Sequence, residues 1–135
     1  MNSKTTKRIP LYRIISSILA IMLGMMSVIA GSKVLLEIDI KDYNVLIWLV
    51  SYNIAFGAIS IVVAYYIFKN LKYAKQGVLF VLTMHSIVLL YLKFYSIVVA
   101  SESVKAMTFR VGVWIFIALF YLVFPRFFNK HNRIN

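Results

Sequence analysis

The stretch "SSILAIMLGMMSVIAG", residues 16–31, runs for sixteen positions without a charge or a proline. Its neighbours extend the apolar run to residues 11–33, long enough as a helix to cross a hydrocarbon layer of ~30 Å. Within it the small residues Ser17, Ala20, Gly24, Ser27 and Gly31 recur at spacings of three and four. That period places them on one helical stripe. A second stripe, Asn53, Gly57, Ser60 and Ala64, follows the same rule. In lipid, apolar burial does little to join helices. They associate where small side chains let backbones approach. The two stripes therefore predict a close seam between the first and second helices.

Three further apolar runs follow, at 44–68, 76–100 and 106–124, each long enough to span. They are too long and too continuous for barrel strands, and helices satisfy their own backbone groups in lipid. Short loops make sequential helices antiparallel neighbours. The prediction is a single all-α membrane domain over residues 1–135, an up-down-up-down bundle of four transmembrane helices. The composition agrees, at 62% hydrophobic and only 14% charged, against about a quarter charged in a soluble domain.

Charge sets the threading. Lys4, Lys7, Arg8 and Arg13 flank the first run, Lys69, Lys72 and Lys75 fill the second loop, and Arg126, Lys130 and Arg133 follow the fourth run. These segments contain no acid. All four acids, Glu37, Asp39, Asp42 and Glu102, fall in the first and third loops. By the positive-inside rule both termini and the second loop are cytoplasmic, in what reads as a bacterial cytoplasmic membrane. The net charge of +11 belongs to this pattern. No basic groove with aromatic platforms points to nucleic acid. The N-terminus also reads as a signal peptide ending at Val28-Ile29-Ala30. The stripe favours a retained helix, because a discarded leader has no use for one.

Several polar residues lie inside the runs. Counting from the expected helix ends puts Asn53 and His85 ~13 Å deep, Trp114 ~12 Å, Lys93 ~10 Å and Arg110 ~6–8 Å. His85, Ser86, Lys93 and Ser96 share one arc of the third helix. Such residues are costly in lipid and face protein or water. One reading is an outward-opening pocket with Asn53 and His85 at its floor and Lys93 and Arg110 near its mouth. The other is local. Lys93 snorkels to headgroups, Arg110 anchors an interface or pairs with Glu102, and Asn53 and His85 serve as interhelical glue.

No acid lies in any predicted span, which argues against proton-coupled export through a membrane carboxylate. There is no cysteine, hence no thiolate chemistry. His85 and His131 lie too far apart along the fold for one metal. A haem held by His85 with Met22, Met25 or Met26 has no supporting motif. No catalytic set appears, so the chain is not read as an enzyme and no cofactor is assigned.

The segment "RIISSILAIMLGMMSVIAGSKVL", residues 13–35, resembles the opening of DoxX-like proteins, with Arg13, Gly31 and Lys33 in the corresponding places. That resemblance implies a small four-helix membrane protein, and in some members respiratory-chain or quinone-linked accessory roles. "VASESVKAMTFRVGVW", residues 99–114, is not a feature of that family. Two functions remain open. One is a small accessory or interaction protein whose partners are the bilayer, another membrane protein or a second copy. The other is a binder or transporter of a lipophilic or anionic small molecule, such as a quinone, lipid or solute.

Overall fold

Pro10 opens the first helix. It has extended backbone angles, and its carbonyl accepts the amides of Arg13 and Ile14 at 3.1 and 3.4 Å. The computed structural model describes residues 8–131, with side chains through Phe127. Lys4, Lys7 and Arg133 of the charge pattern lie outside the described residues, as do the side chains of Lys130 and His131.

The regular structure of the described residues is all helical, in the order α1 (Leu11–Leu35), α2 (Ile47–Lys69), α3 (Ala74–Phe94) and α4 (Ser101–Ala118), then a π-helical turn (Leu119–Val123) and α5 (Phe124–His131). Four spans are long and apolar enough to cross a membrane: α1, α2, α3 and the continuous stretch Ser101–Phe127. No more than a third of any of them is buried inside the protein. The remaining apolar surface is what a multi-pass membrane protein presents to lipid.

The helix ends follow local chemistry. After α1, Glu37 takes a left-handed conformation (φ 58°), and the Ile38 amide reaches back to the Lys33 carbonyl at 3.0 Å. Asn70 does the same after α2 (φ 52°), with the Leu71 amide on the Tyr66 carbonyl at 2.9 Å. Both are Schellman-type stops, and asparagine tolerates that backbone better than most residues. Arg13 of α1 binds the freed carbonyls of Ile67 (3.3 Å) and Phe68 at the end of α2. That locks these two ends together and neutralises the negative end of the helix dipole.

Two boundaries differ from the hydropathy reading. The third helix stops at Phe94, not near residue 100, where the Ser96 amide turns back onto the Tyr91 carbonyl. The fourth begins at Ser101, not 106. Ile97 and Val98 are apolar yet sit exposed in the connection, so apolar character there does not mean helix. Glu102 moves from the expected loop into the first turn of α4, where a carboxylate meets the positive end of the helix dipole. Ser96 leaves the helical arc it was expected to share with His85.

The seam between α1 and α2 is tight. A Cβ built on Gly24 would lie 2.6 Å from the Gly57 carbonyl oxygen, and one on Gly57 would lie 2.8 Å from the Gly24 carbonyl oxygen. Ser17, Ala20, Gly24, Ser27 and Gly31 are all buried, as are Gly57, Ser60 and Ala64. The main core gathers Leu23, Ile67, Val78, Val81, Trp114 and Ile117 between the helices. A smaller cluster of Leu49, Leu92 and Met107 fills the end near the first and third connections.

Candidate functional site

Where the chain enters α2 and α4, it leaves a cavity of about 200 Å³. Ser27 and Gly31 of α1, Leu49 and Asn53 of α2, and Ala106 and Arg110 of α4 line its depth. Lys41, Tyr43, Glu102 and Ser103 stand toward the loops. It is smaller than the ~300 Å³ or more of a drug-sized site and suits a small molecule or a headgroup.

Arg110 dominates it. Because α4 begins at Ser101, Arg110 lies about 14 Å inside the helix, nearly twice the depth expected from the sequence. It is half-buried, and its Nε donates to Ser27 Oγ at 3.2 Å. Among the described residues no carboxylate pairs with it. The one ion pair there joins Lys41 to Asp39 at 2.6 Å, at the rim. That bond, rather than the long-range field, holds the partly exposed Lys41 ammonium above the usual lysine range. Glu102 lines the same cavity but is exposed, and its Oε2 accepts from the neighbouring Ser101 hydroxyl at 3.4 Å. Arg110 is therefore a cation at depth with a neutral serine as partner, which is expensive unless something else compensates it.

Asn53 adds a second unmet demand. Its Oδ1 is buried and has no hydrogen-bond partner among the described residues. An orphaned acceptor of this kind costs roughly 1–3 kcal/mol. The site thus contains an unpaired cation in the cavity wall and an unmet acceptor buried in the protein beside it.

His85 stands beside the cavity, not in its wall. It is 3% exposed, and its Nδ1 shares a hydrogen bond with the Tyr52 hydroxyl at 2.7 Å. Phe56 packs at 5.6 Å and Trp114 at 6.5 Å, ring centre to ring centre. Tyr52 and His85 both lie within electrostatic reach of Arg110. Trp114 is fully buried, and its Nε1 has no partner among the described residues. Ser27, Tyr52, Asn53, His85 and Arg110 lie about 8–14 Å from helix ends on the side of the first and third connections. They form one polar layer to which all four spans contribute.

Lys93 does not join them. It lies in the last turn of α3, exposed, and lines a separate shallow groove with Ser96, Ser101 and Lys105. Its Nζ sits 5.8 Å from the Phe94 ring centre. The earlier end of α3 leaves it near the helix terminus instead of ~10 Å below it. Of the four residues read as a pocket, the structure brings Asn53 and Arg110 into one cavity. It sets His85 behind them and leaves Lys93 apart. Tyr52 and Ser27 complete the layer, although Tyr52 reads in sequence as one of many belt aromatics and Ser27 as a packing residue. Ser86 is spent on its own helix, bonding the Leu82 carbonyl at 2.8 Å.

The methionines are also separated from His85. Met22, Met25 and Met26 are about half-exposed on the outer face of α1, whereas His85 is interior. The haem pair considered from sequence is thus not assembled within one chain. No group of three or more histidine, cysteine or acidic side chains comes together among the described residues. Comparison with protein families, curated proteins and solved structures finds no match.

Proposed function

We propose that this chain is a four-helix protein of a bacterial cytoplasmic membrane that binds a small anion, free or as part of a lipid, in a cavity open to the outer side. The observation that carries the reading is Arg110, a half-buried cation in the wall of a cavity with no carboxylate partner among the described residues. A carboxylate or phosphate oxygen would supply the missing counter-charge. Tyr52 and His85 buttress the layer from behind.

The threading is part of the proposal. Gly24 packs on Gly57 and Gly31 on Ile54, so sequence runs in opposite senses along α1 and α2, as an up-down-up-down bundle requires. Basic residues cluster at one end of the chain's loops and acids at the other, which supports cytoplasmic termini and an outward cavity. The DoxX-like opening at residues 13–35 is compatible with this architecture and supplies no site residue. A purely accessory role has no particular face in its favour, since the exposed apolar surface is what lipid alone demands.

The test is ligand-dependent thermal stability of the protein purified in mild detergent, with small carboxylates and inorganic phosphate as probes. At least one should raise the melting temperature in proportion to the logarithm of its concentration above saturation. Arg110→Gln should abolish that response, while Lys93→Gln should keep it. An equal response in Arg110→Gln and the parent protein would reject the site.

A further inference from the structure

The opposite end of the bundle contains a second cavity, of about 270 Å³, lined by Tyr12, Asn70, Lys75, Tyr121, Pro125 and Arg126. We infer that it holds the phosphate group of an anionic phospholipid.

Its construction begins with a backbone irregularity. Pro125 has no amide hydrogen to continue the helical ladder. Just before it the chain widens into the π-turn, with the Phe124 amide bonded to the Leu119 carbonyl five residues back. Such turns are rare and often accompany functional sites. This one holds Tyr121 in the interior, 4% exposed, with its hydroxyl donating to Asn70 Oδ1 at 2.9 Å. Asn70 is fixed in the left-handed stop that ends α2. With its oxygen engaged, its amide hydrogens remain as donors.

Lys75 and Arg126 complete the lining. Both are exposed, and neither makes an ion pair or hydrogen bond among the described residues. Arg13 is nearby in sequence to Tyr12 but already committed to the carbonyls of α2. An ammonium, a guanidinium and an amide around one cavity, with no acid in its lining, match the oxygens of a phosphate.

A free phosphate has the same chemistry, but the surroundings favour a lipid. The cavity lies at the end of the apolar spans, where a headgroup of the surrounding bilayer comes within reach of the exposed Lys75 and Arg126. Basic pockets between helix ends on the cytoplasmic side suit anionic headgroups.

The experiment uses the full chain in phosphatidylcholine nanodiscs doped with phosphatidylglycerol, with retained lipid counted by native mass spectrometry. The parent protein should keep one phosphatidylglycerol in preference to phosphatidylcholine. Lys75→Gln with Arg126→Gln should weaken that retention by at least about tenfold, the scale of two basic contacts. Lys69→Gln with Lys72→Gln removes the same charge from the same end outside the cavity and should weaken it less than about threefold. Equal losses in the two double variants would mean a diffuse basic field and overturn the site, as would no loss in either. Retention of phosphatidylglycerol no greater than that of phosphatidylcholine by the parent protein would overturn the lipid assignment. Melting temperatures of both double variants within about a degree of the parent protein would exclude misfolding as the cause of a loss.

Discussion

Gly24→Ala adds one methyl group where the structure has no room for it. The new Cβ would sit 2.6 Å from the Gly57 carbonyl oxygen, about 0.8 Å inside the 3.4 Å at which ordinary contact begins. It would also lie 2.8 Å from Ile61 Cγ1. The isoleucine can rotate away, but the carbonyl belongs to helical backbone and yields only if α1 and α2 separate. Overpacking of this kind costs about 1–3 kcal/mol. Alanine recovers about 1 kcal/mol through its better helix propensity, so the net loss should be about 0–2 kcal/mol. Gly112→Ala is the internal control. Its Cβ meets nothing within 4 Å, so it should gain the propensity term without the clash. Because both gain the same propensity term, the two variants should differ by the clash alone, about 1–3 kcal/mol. Reversible unfolding in mixed micelles of mild detergent and sodium dodecyl sulfate measures the difference. Equal midpoints for Gly24→Ala and Gly112→Ala would refute the small-residue seam.

Other perturbations test the polar layer. Arg110→Met removes a charge whose one hydrogen-bond partner among the described residues is Ser27 Oγ, so in ligand-free detergent solution it should unfold later than the parent protein, by about 1 kcal/mol. Earlier unfolding would point to an internal counter-charge. Tyr52→Phe deletes the hydroxyl on His85 Nδ1 and should destabilise by about 1–2 kcal/mol. His85→Leu alone and combined with Tyr52→Phe should then show non-additive losses in a double-mutant cycle, whereas strict additivity would deny the bond. Lys93→Met should change stability by no more than about 0.5 kcal/mol, because Lys93 is exposed at a helix end. A large loss would place it in a packed site.

The four spans were legible because long uninterrupted apolar runs have few other solutions. The stripes were legible because their period matches the helix. The connection between α3 and α4 was not. Ile97, Val98 and Val99 raise hydropathy without forming helix, while Ser101, Glu102 and Ser103 lower it at a helix start favourable to an acid. One misplaced connection moved two functional readings. It made Lys93 look deep and Arg110 look shallow, and the structure reverses that order. The bond from Arg110 to Ser27 crosses from α4 to α1, and no local pattern announces a contact between residues so far apart. Tyr52 was hidden for a different reason. Nine tyrosines make any one of them look like an interfacial anchor, and only its approach to His85 distinguishes it.

The chain has no cysteine, so single-cysteine labelling reports sidedness without background from the protein itself. Ser103 lines the mouth of the Arg110 cavity, and Lys72 lies in the connection at the opposite end. In intact cells stripped of their outer envelope, a membrane-impermeant maleimide should label Ser103→Cys at once and Lys72→Cys only after permeabilisation. The reverse pattern would place the cavity on the cytoplasmic side and contradict an outward-facing anion site.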